Sequence, residues 1–496
     1  MSTLAATLRG EGLLERYFGF AARGTTFARD TMAGATTFVV MSYIIFVNPI
    51  ILTGATPKFG PSLAFGAVLT STCLVAGVMS ILMGLTTNYA YAIAPGMGLN
   101  AVVAYGLVAS GKASFPEAMG LVVLEGVSMV VLAVSGLREL IFRAIPLELK
   151  KAIAIGIGLF IAFIGLYNSG IIASLPPSAG QPVTLGNFTT WPIFVTIFGI
   201  VFTFALRAIR FRGDLIVGIV GTTVVATIIN SLVSHHRAFG TSTATWPGWH
   251  HLYAKPDFSL LGNISLHSFS TTQLGVIASL VWVFSLFLSD FFDFSGTAIG
   301  VGKQAGYVDA TGNIPNFKKA LVVDGLAAVA GGAASSSSAT TFIESGSGVA
   351  AGGRTGWVAI VAGLLFFPFM FISPLIGMVP AQATAAALVV VGWLMISTLT
   401  EMEGEAEGAK TKIAGIDFHD LAIGLSAALA IMIMPFTYSI TNGIGFGFIT
   451  YTVVCAARRE WKRIHPFMWV VTAAFVLYFM VPFLQQHVSW FGGHLA

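Results

Sequence analysis

The stretch SLFLSDFFDFSGTAIGVG (285–302) places two carboxylates, Asp290 and Asp293, inside an apolar run. Three residues apart, they share one face of a helix. An ionised aspartate at the centre of a membrane span costs roughly 2.5–3.5 kcal/mol on insertion scales, and two on one face also repel. At least one must therefore be protonated part of the time, or both must face a polar cavity. The chemistry open to them is to accept hydrogen bonds from a substrate or to carry a proton. A buried pair satisfied by serines or backbone N–H groups is the purely structural alternative. Glu344, at the head of ESGSG, follows the same logic. Asn100 adds a donor and an acceptor. The constellation is acids and an amide with no intramembrane Arg or Lys among them, which argues against an inorganic anion such as sulfate and suits a neutral ligand with N–H donors. Phe284, Phe287, Phe291, Phe292 and Phe294 surround the aspartates, and one of these rings stacked on a flat ligand would be chemically apt.

The elements that position these residues must be membrane spans. Of 496 residues, 56% are hydrophobic and 9% charged, with mean hydropathy +0.85. Soluble domains carry about 25% charged residues, so this chain cannot cover a soluble surface and reads as an all-α polytopic membrane protein. The first 30 residues hold Arg9, Arg16, Arg23 and Arg29 and no short apolar core ahead of a cleavage site, so no signal peptide is read there. Cys73 and Cys455 lie in apolar segments and read as small buried hydrophobes rather than a disulfide.

Apolar segments long enough to span fall near 31–52, 62–85, 89–110, 117–136, 147–168, 190–207 and 214–233, and then near 274–302, 318–335, 340–353, 356–373, 376–399, 416–435 and 438–456. These are two groups of seven. A further apolar segment, 466–485, is either a fifteenth span or an interfacial helix. Between the groups lies a wet stretch, 234–273, whose His235, His236, His250, His251 and His267 lack ligand spacing and read as solvated. Asp309 reads as a solvated loop residue, Asp324 is open to a structural or functional role, and EMEGEAEG (401–408) reads as a cytoplasmic loop. With the N-terminus cytoplasmic, 21 of the 25 Lys and Arg residues fall on the cytoplasmic side, the asymmetry expected of inner loops.

The halves echo each other. IPLELKKAIAIGIG (145–158) and VPAQATAAALVVVG (379–392) share Pro146/Pro380, Ala152/Ala386 and Gly158/Gly392 at an offset of 234. Seven is odd, so such repeats must be inverted in the membrane. The third segment of each half is broken, by Pro95, Gly96 and Gly98 in the first and by a Ser/Thr run leading to Glu344 in the second. Irregular backbone at membrane depth survives only where it is buried in protein or lines a cavity. Inverted repeats would bring two half-helices nose to nose, with their positive ends aimed at one site. Glycines that let helices approach closely are the bland alternative. No P-loop, catalytic triad or metal motif is present, so ATP-driven transport and enzyme activity are not expected, and net charge +4 gives no reason to expect a nucleic-acid partner.

TTFVVMSYIIFVNPIIL (36–52), APGMGLNA (94–101), SDFFDFSGT (289–297), TTFIESGSGVAAGGRTG (340–356) and MPFTYSITNGIGFGFITY (434–451) together resemble the AzgA-like purine permeases, a branch of the nucleobase:cation symporter, or nucleobase/ascorbate transporter, superfamily. The resemblance runs from about residue 15 to 485. It implies fourteen spans in two inverted sevens. Spans 1–4 and 8–11 then form a core domain and spans 5–7 and 12–14 a gate domain, with strand and half-helix in spans 3 and 10. On that scheme 1–30 is a cytoplasmic tail and 31–136 and 274–373 are the core halves. Residues 137–233 and 374–456 are the gate halves, 234–273 is an extracytoplasmic loop and 457–496 a C-terminal segment. The resemblance also implies proton-coupled uptake of adenine, guanine or hypoxanthine across the cytoplasmic membrane, with the proton as coupling ion, no other cofactor and a possible homodimer through the gate domains. Asp290 matches the span-8 acid that contacts the base, and Asp293 a second acid with a coupling or structural role. Glu344 matches the span-10 acid, and Gly98 and Asn100 the span-3 positions. Phe291, Ser345 and Gly346 complete the expected substrate set, and Asp293, Asp290 and Glu344 are the expected proton carriers. ESGSG departs from the glutamine and asparagine pattern of the xanthine/uric-acid branch. An anion exchanger of the same fold and an uncoupled facilitator are the alternatives.

Overall fold

The computed structural model describes residues 12–135, 144–174, 183–211, 213–233, 238–239, 243–248, 251–269, 275–307, 314–401 and 416–487. His235, His236, His250, Asp309 and most of the acidic stretch 401–408 lie outside them. Helix α1 (Leu13–Phe18) precedes α2 (Phe27–Met41), which Thr26 caps by accepting the Arg29 N–H at 3.2 Å. Then come α3 (Ile44–Gly54) and α4 (Phe65–Thr87), and strand β1 (Ile93–Pro95) with α5 (Met97–Ala101), which runs on as a π-helical stretch to Ala109. Helices α6 (Phe115–Ser135) and α7 (Leu147–Asn168) follow, then the hairpin β2 (Ile172–Ser174) and β3 (Val183–Leu185), then α8 (Trp191–Ala208) and α9 (Asp214–Leu232). The second half holds α10 (Gly275–Gln304), α11 (Phe317–Ala333), strand β4 (Ala339–Thr341), α12 (Ser345–Ala350), α13 (Trp357–Phe366) and α14 (Ser373–Gly377). It ends with α15 (Ala381–Glu401), α16 (Leu421–Phe436), α17 (Ile440–Ala457) and α18 (Pro466–His487).

Among the described residues, eight segments are long and apolar enough to cross a membrane, and five shorter apolar helices accompany them. The first span is interrupted where no break is expected. Ser42 and Tyr43 separate α2 from α3 without a proline or glycine at the break, and the Ser42 hydroxyl donates to the Val39 carbonyl at 2.9 Å. Segment 466–485 is a helix, and Cys73 and Cys455 are free and buried.

The two broken segments meet. β1 pairs antiparallel with β4, with Ile93 opposite Thr341, Ala94 opposite Thr340 and Pro95 opposite Ala339. Proline and a serine run cannot continue a helix cheaply. At membrane depth their backbone groups must find partners within the protein, and each short strand supplies the other. Around this pair the helices fall into two packed groups. One holds α2, α3, α4, α6, α10, α11 and α13, and the other α7, α8, α9, α15, α16 and α17. Close crossings use glycine. A Cβ on Gly158 would lie 2.6 Å from the Gly392 carbonyl oxygen, and one on Gly392 2.4 Å from that of Gly158.

Candidate substrate cavity and buried carboxylates

A cavity opens where the two strand-to-helix turns face α10. Gly96, Met97 and Gly98 line it from the β1–α5 turn, and Thr341, Phe342, Ile343 and Glu344 from the β4–α12 turn. Asp293 and Thr297 of α10 complete one wall, Tyr43 comes from the break between α2 and α3, and Val391 and Met395 come from α15 in the other helix group. The site therefore lies between the two groups. It holds only about 50 Å³ of water-sized space, far below the roughly 300 Å³ at which small-molecule pockets begin. At that volume the cavity is too small to hold a flat heterocycle.

Glu344 sits at the N-cap position of α12 but caps nothing with its side chain. It is instead held by Tyr43, whose hydroxyl donates to Oε1 at 2.7 Å. A Cβ on Gly98 would lie 2.9 Å from Cγ2 of Ile157 on α7, so glycine lets the two helix groups close over the cavity.

Of the residues expected at the site, Gly98, Asp293 and Glu344 line the cavity, and Asp290, Phe291, Asn100, Ser345 and Gly346 do not. The two aspartates lie about 60° apart around one helix, and their side chains meet different neighbours. Asp290 is fully buried, with the Glu125 carboxyl of α6 and the Thr340 hydroxyl of β4 as its polar neighbours. Phe291 packs on Phe287 and Phe292, with ring centroids 6.0 and 5.4 Å away. The phenyl ring at the cavity is Phe342. Asn100 is a brace: its amide donates to Asn48 Oδ1 at 3.0 Å, and Asn48 donates to Thr72 Oγ1 and the Ser336 carbonyl. The Ser345 hydroxyl accepts the Ala92 N–H at 3.0 Å, joining the two turns. Gly346 makes room for Gln304, whose Oε1 would lie 2.8 Å from an added Cβ.

Asp324 is the anchor of β4. It accepts the Thr341 N–H at 2.8 Å, the Thr341 hydroxyl at 2.9 Å and the Thr340 hydroxyl at 3.2 Å. Glu125, fully buried, accepts from the Ser338 hydroxyl at 3.0 Å and has the Asp290 carboxyl beside it. Sequence reasoning passed over Glu125, although a lone acid in LVVLEGVSMVVL is the same signal that singled out Asp290. One basic residue, Lys150, comes near the aspartate helix, and its neighbour Lys151 is buried. Lys150 Nζ lies 5.8 Å from the Phe292 ring centroid and Lys151 is 6% exposed, but neither lines the cavity. Among the described residues no group of His, Cys, Asp and Glu is arranged to hold a metal.

The Permease family, Xan_ur_permease, matches residues 29–406. The guanine/hypoxanthine permease PbuG of Bacillus subtilis is 37% identical over 474 residues, covering 94% of this chain and 99% of that protein. The adenine permease AdeP of Escherichia coli is 36% identical over 480 residues, covering 96% and 98%. In structure the chain resembles the transmembrane domain of the cyanobacterial bicarbonate transporter BicA, with TM-score 0.60 over 82% of this chain and 96% of that one. At 15% identity that likeness speaks for the fold alone. The chain belongs to the Permease family, in its AzgA-like purine-permease branch, and is a membrane transporter rather than an enzyme.

Proposed function

We propose that this permease carries purine nucleobases (adenine, guanine or hypoxanthine) together with a proton across the cytoplasmic membrane by alternating access. The observation that carries the reading is the cavity itself: two carboxylates, a phenyl ring and two broken spans converge on one narrow slot. Asp293 and Glu344 supply acceptors for the N–H groups of a base, Phe342 supplies a stacking face, and Tyr43 fixes the Glu344 rotamer. This exchanges the roles expected of the aspartates, with Asp293 as the acid that meets the base and Asp290 as the one behind it. The names of PbuG and AdeP support purines as the substrate class.

The same reading makes the chain fourteen spans in two inverted sevens, with α2–α6 and α10–α13 as the core, α7–α9 and α15–α17 as the gate and the N-terminus in the cytoplasm. Pairing of β1 with β4 and the mutual contact of Gly158 with Gly392, equivalent positions in the two halves, are what an inverted two-fold requires. A homodimer through the gate rests on family resemblance. An anion exchanger is disfavoured because the lining carries two acids and no base.

The test is uptake of radiolabelled adenine by cells lacking their own purine carriers, with unlabelled guanine, hypoxanthine, xanthine and uracil as competitors and with or without a protonophore. Competition by the first two but not the last two, lost with the proton gradient, is the expected result. Uptake that survives the protonophore would make the protein a facilitator. No uptake, from protein verified in the membrane, would overturn the purine reading.

A further inference from the structure

A second cavity, of about 410 Å³, lies between the two helix groups and shares no lining residue with the substrate slot. Ile216, Val220, Thr223, Val224, Thr227 and Ile228 form one wall, at the spacing of a single face of α9. Phe46 of α3 and residues between 369 and 379, around α14, form the other. None of the lining side chains is charged. The two threonines donate their hydroxyls to their own helix, Thr223 to the Ile219 carbonyl at 2.7 Å and Thr227 to the Thr223 carbonyl at 2.9 Å. Water needs two to four polar partners to settle in a cavity, and this lining does not supply them. Close-packed interiors hold few voids larger than a water molecule, so a space of this size calls for an apolar guest.

Exposure and length identify that guest. Val220, Val224 and Ile228 are each about half exposed, so the cavity is continuous with the surface that α9 turns to lipid. Phe46 and Ile376, at its back, are buried. The wall from Ile216 to Ile228 is about 18 Å long at 1.5 Å per residue, close to one leaflet of a roughly 30 Å hydrocarbon core. Trp246 lines the cavity at the Ile228 end, where the Asn230 amide of α9 donates to the Ala244 carbonyl at 3.1 Å. An indole, apolar in body and polar at its tip, suits the headgroup level of a bilayer.

We propose that this cleft binds one acyl chain of a membrane phospholipid, with the headgroup at the Trp246 end and the tail running along α9 toward Ile216, wedged between the two helix groups. Binding of the lipid does not rest on the purine reading. Its consequence for transport does. Phe46 stands three residues beyond Tyr43, whose hydroxyl holds Glu344, so a chain in the cleft packs against the helix that begins at the substrate cavity. Where one helix group slides past the other, the walls of the cleft shift, and a bound chain favours the arrangement that fits it.

The test uses full-length protein in phosphatidylcholine vesicles doped with phosphatidylcholine that carries a diazirine on one acyl chain. Light expels N₂ and leaves a carbene that inserts into the nearest C–H bond, and the adducts are mapped by mass spectrometry. Val131, exposed on α6, reports bulk lipid. Phe46 and Ile376 are buried and report the cleft. The expected result is adducts at all three in wild type. Val224→Trp and Val220→Trp each put an indole into the cleft, and in both the adducts at Phe46 and Ile376 should be lost while those at Val131 persist and show that the variant is folded in the membrane. Adducts at Val131, Val220 and Val224 with none at Phe46 and Ile376 would overturn the site, since lipid would then only surround the protein. Adducts at Phe46 and Ile376 unchanged in both filled variants would overturn it too, because the label would be reaching them by another route. Neither outcome involves transport, so the purine reading stands or falls separately on the uptake experiment.

Discussion

Asp293 and Asp290 stand three residues apart on α10, yet Asp293 opens onto a cavity with Glu344 and Tyr43 while Asp290 is buried beside Glu125. Both environments are acidic, but their hydrogen-bonding differs. At the cavity, Glu344 is held by one phenol, and donors from a ligand would complete the shell. Behind β4, the Asp290 and Glu125 carboxyls are each other's neighbours, with the Ser338 hydroxyl donating to Glu125 at 3.0 Å. The two acids of α10 share a face and still meet different neighbours, Glu344 and Tyr43 around the cavity for Asp293 and Glu125 and Thr340 for Asp290.

Substitutions at the cavity acids should have the largest effect. Asp293→Asn and Glu344→Gln replace an acceptor with a group that presents a donor to the base, and a polar site with one bond mismatched discriminates by orders of magnitude. Uptake should fall roughly 100-fold or more, read as initial rates normalised to protein in the membrane. Asp324→Ala separates anchoring from chemistry. It leaves the Thr341 N–H and two hydroxyls without a buried acceptor, each worth about 1–3 kcal/mol. Thermal unfolding in detergent should show a large loss of stability, whereas Glu125→Gln should show little. Gly348→Ala should also destabilise, by about 1–3 kcal/mol, since the added Cβ would lie 2.1 Å from Thr37 Oγ1 and 2.8 Å from the Ala33 carbonyl oxygen. Tyr43→Phe removes one bond to a carboxylate, worth about 1.5–3 kcal/mol. It should weaken binding while leaving proton coupling per purine unchanged.

The smallest effect is expected far from both sites. Asp420 caps α16 by accepting the Ala422 N–H at 2.9 Å, and Asp420→Ala should cost about 1 kcal/mol. Arg463 beside it holds its carboxyl below the usual aspartate range. A lowered folded value means the stabilisation is present above the unfolded aspartate value, near 4, and is lost as pH falls through the folded one. Wild type should therefore lose this increment in acid, and Asp420→Asn, which keeps the cap but not the charge, should not.

Much of the scaffold was legible in the sequence because span length and hydropathy are local properties. The segments expected at 62–85 and 274–302 are the helices Phe65–Thr87 and Gly275–Gln304. Pro95, Gly96 and the serine run marked both broken segments, since those residues cannot propagate a helix. The break at Ser42–Tyr43 was invisible because no helix breaker marks it, although it is what presents Tyr43 to Glu344. The division of labour between Asp290 and Asp293 was not legible either. Period alone puts residues three apart on one face, and only the packing of α6, α11 and β4 against α10 shows which neighbours each one meets. Phe342 was overlooked for Phe291 for the same reason: a cluster of rings in sequence does not reveal which ring borders a cavity.

The most direct measurement is equilibrium binding of labelled hypoxanthine to purified Asp293→Asn and Asp290→Asn. Binding weakened roughly 100-fold in the first and only a few-fold in the second is the expected result. The reverse order would contradict it, returning Asp290 to the substrate and leaving the cavity lined by Asp293 and Glu344 without its proposed ligand.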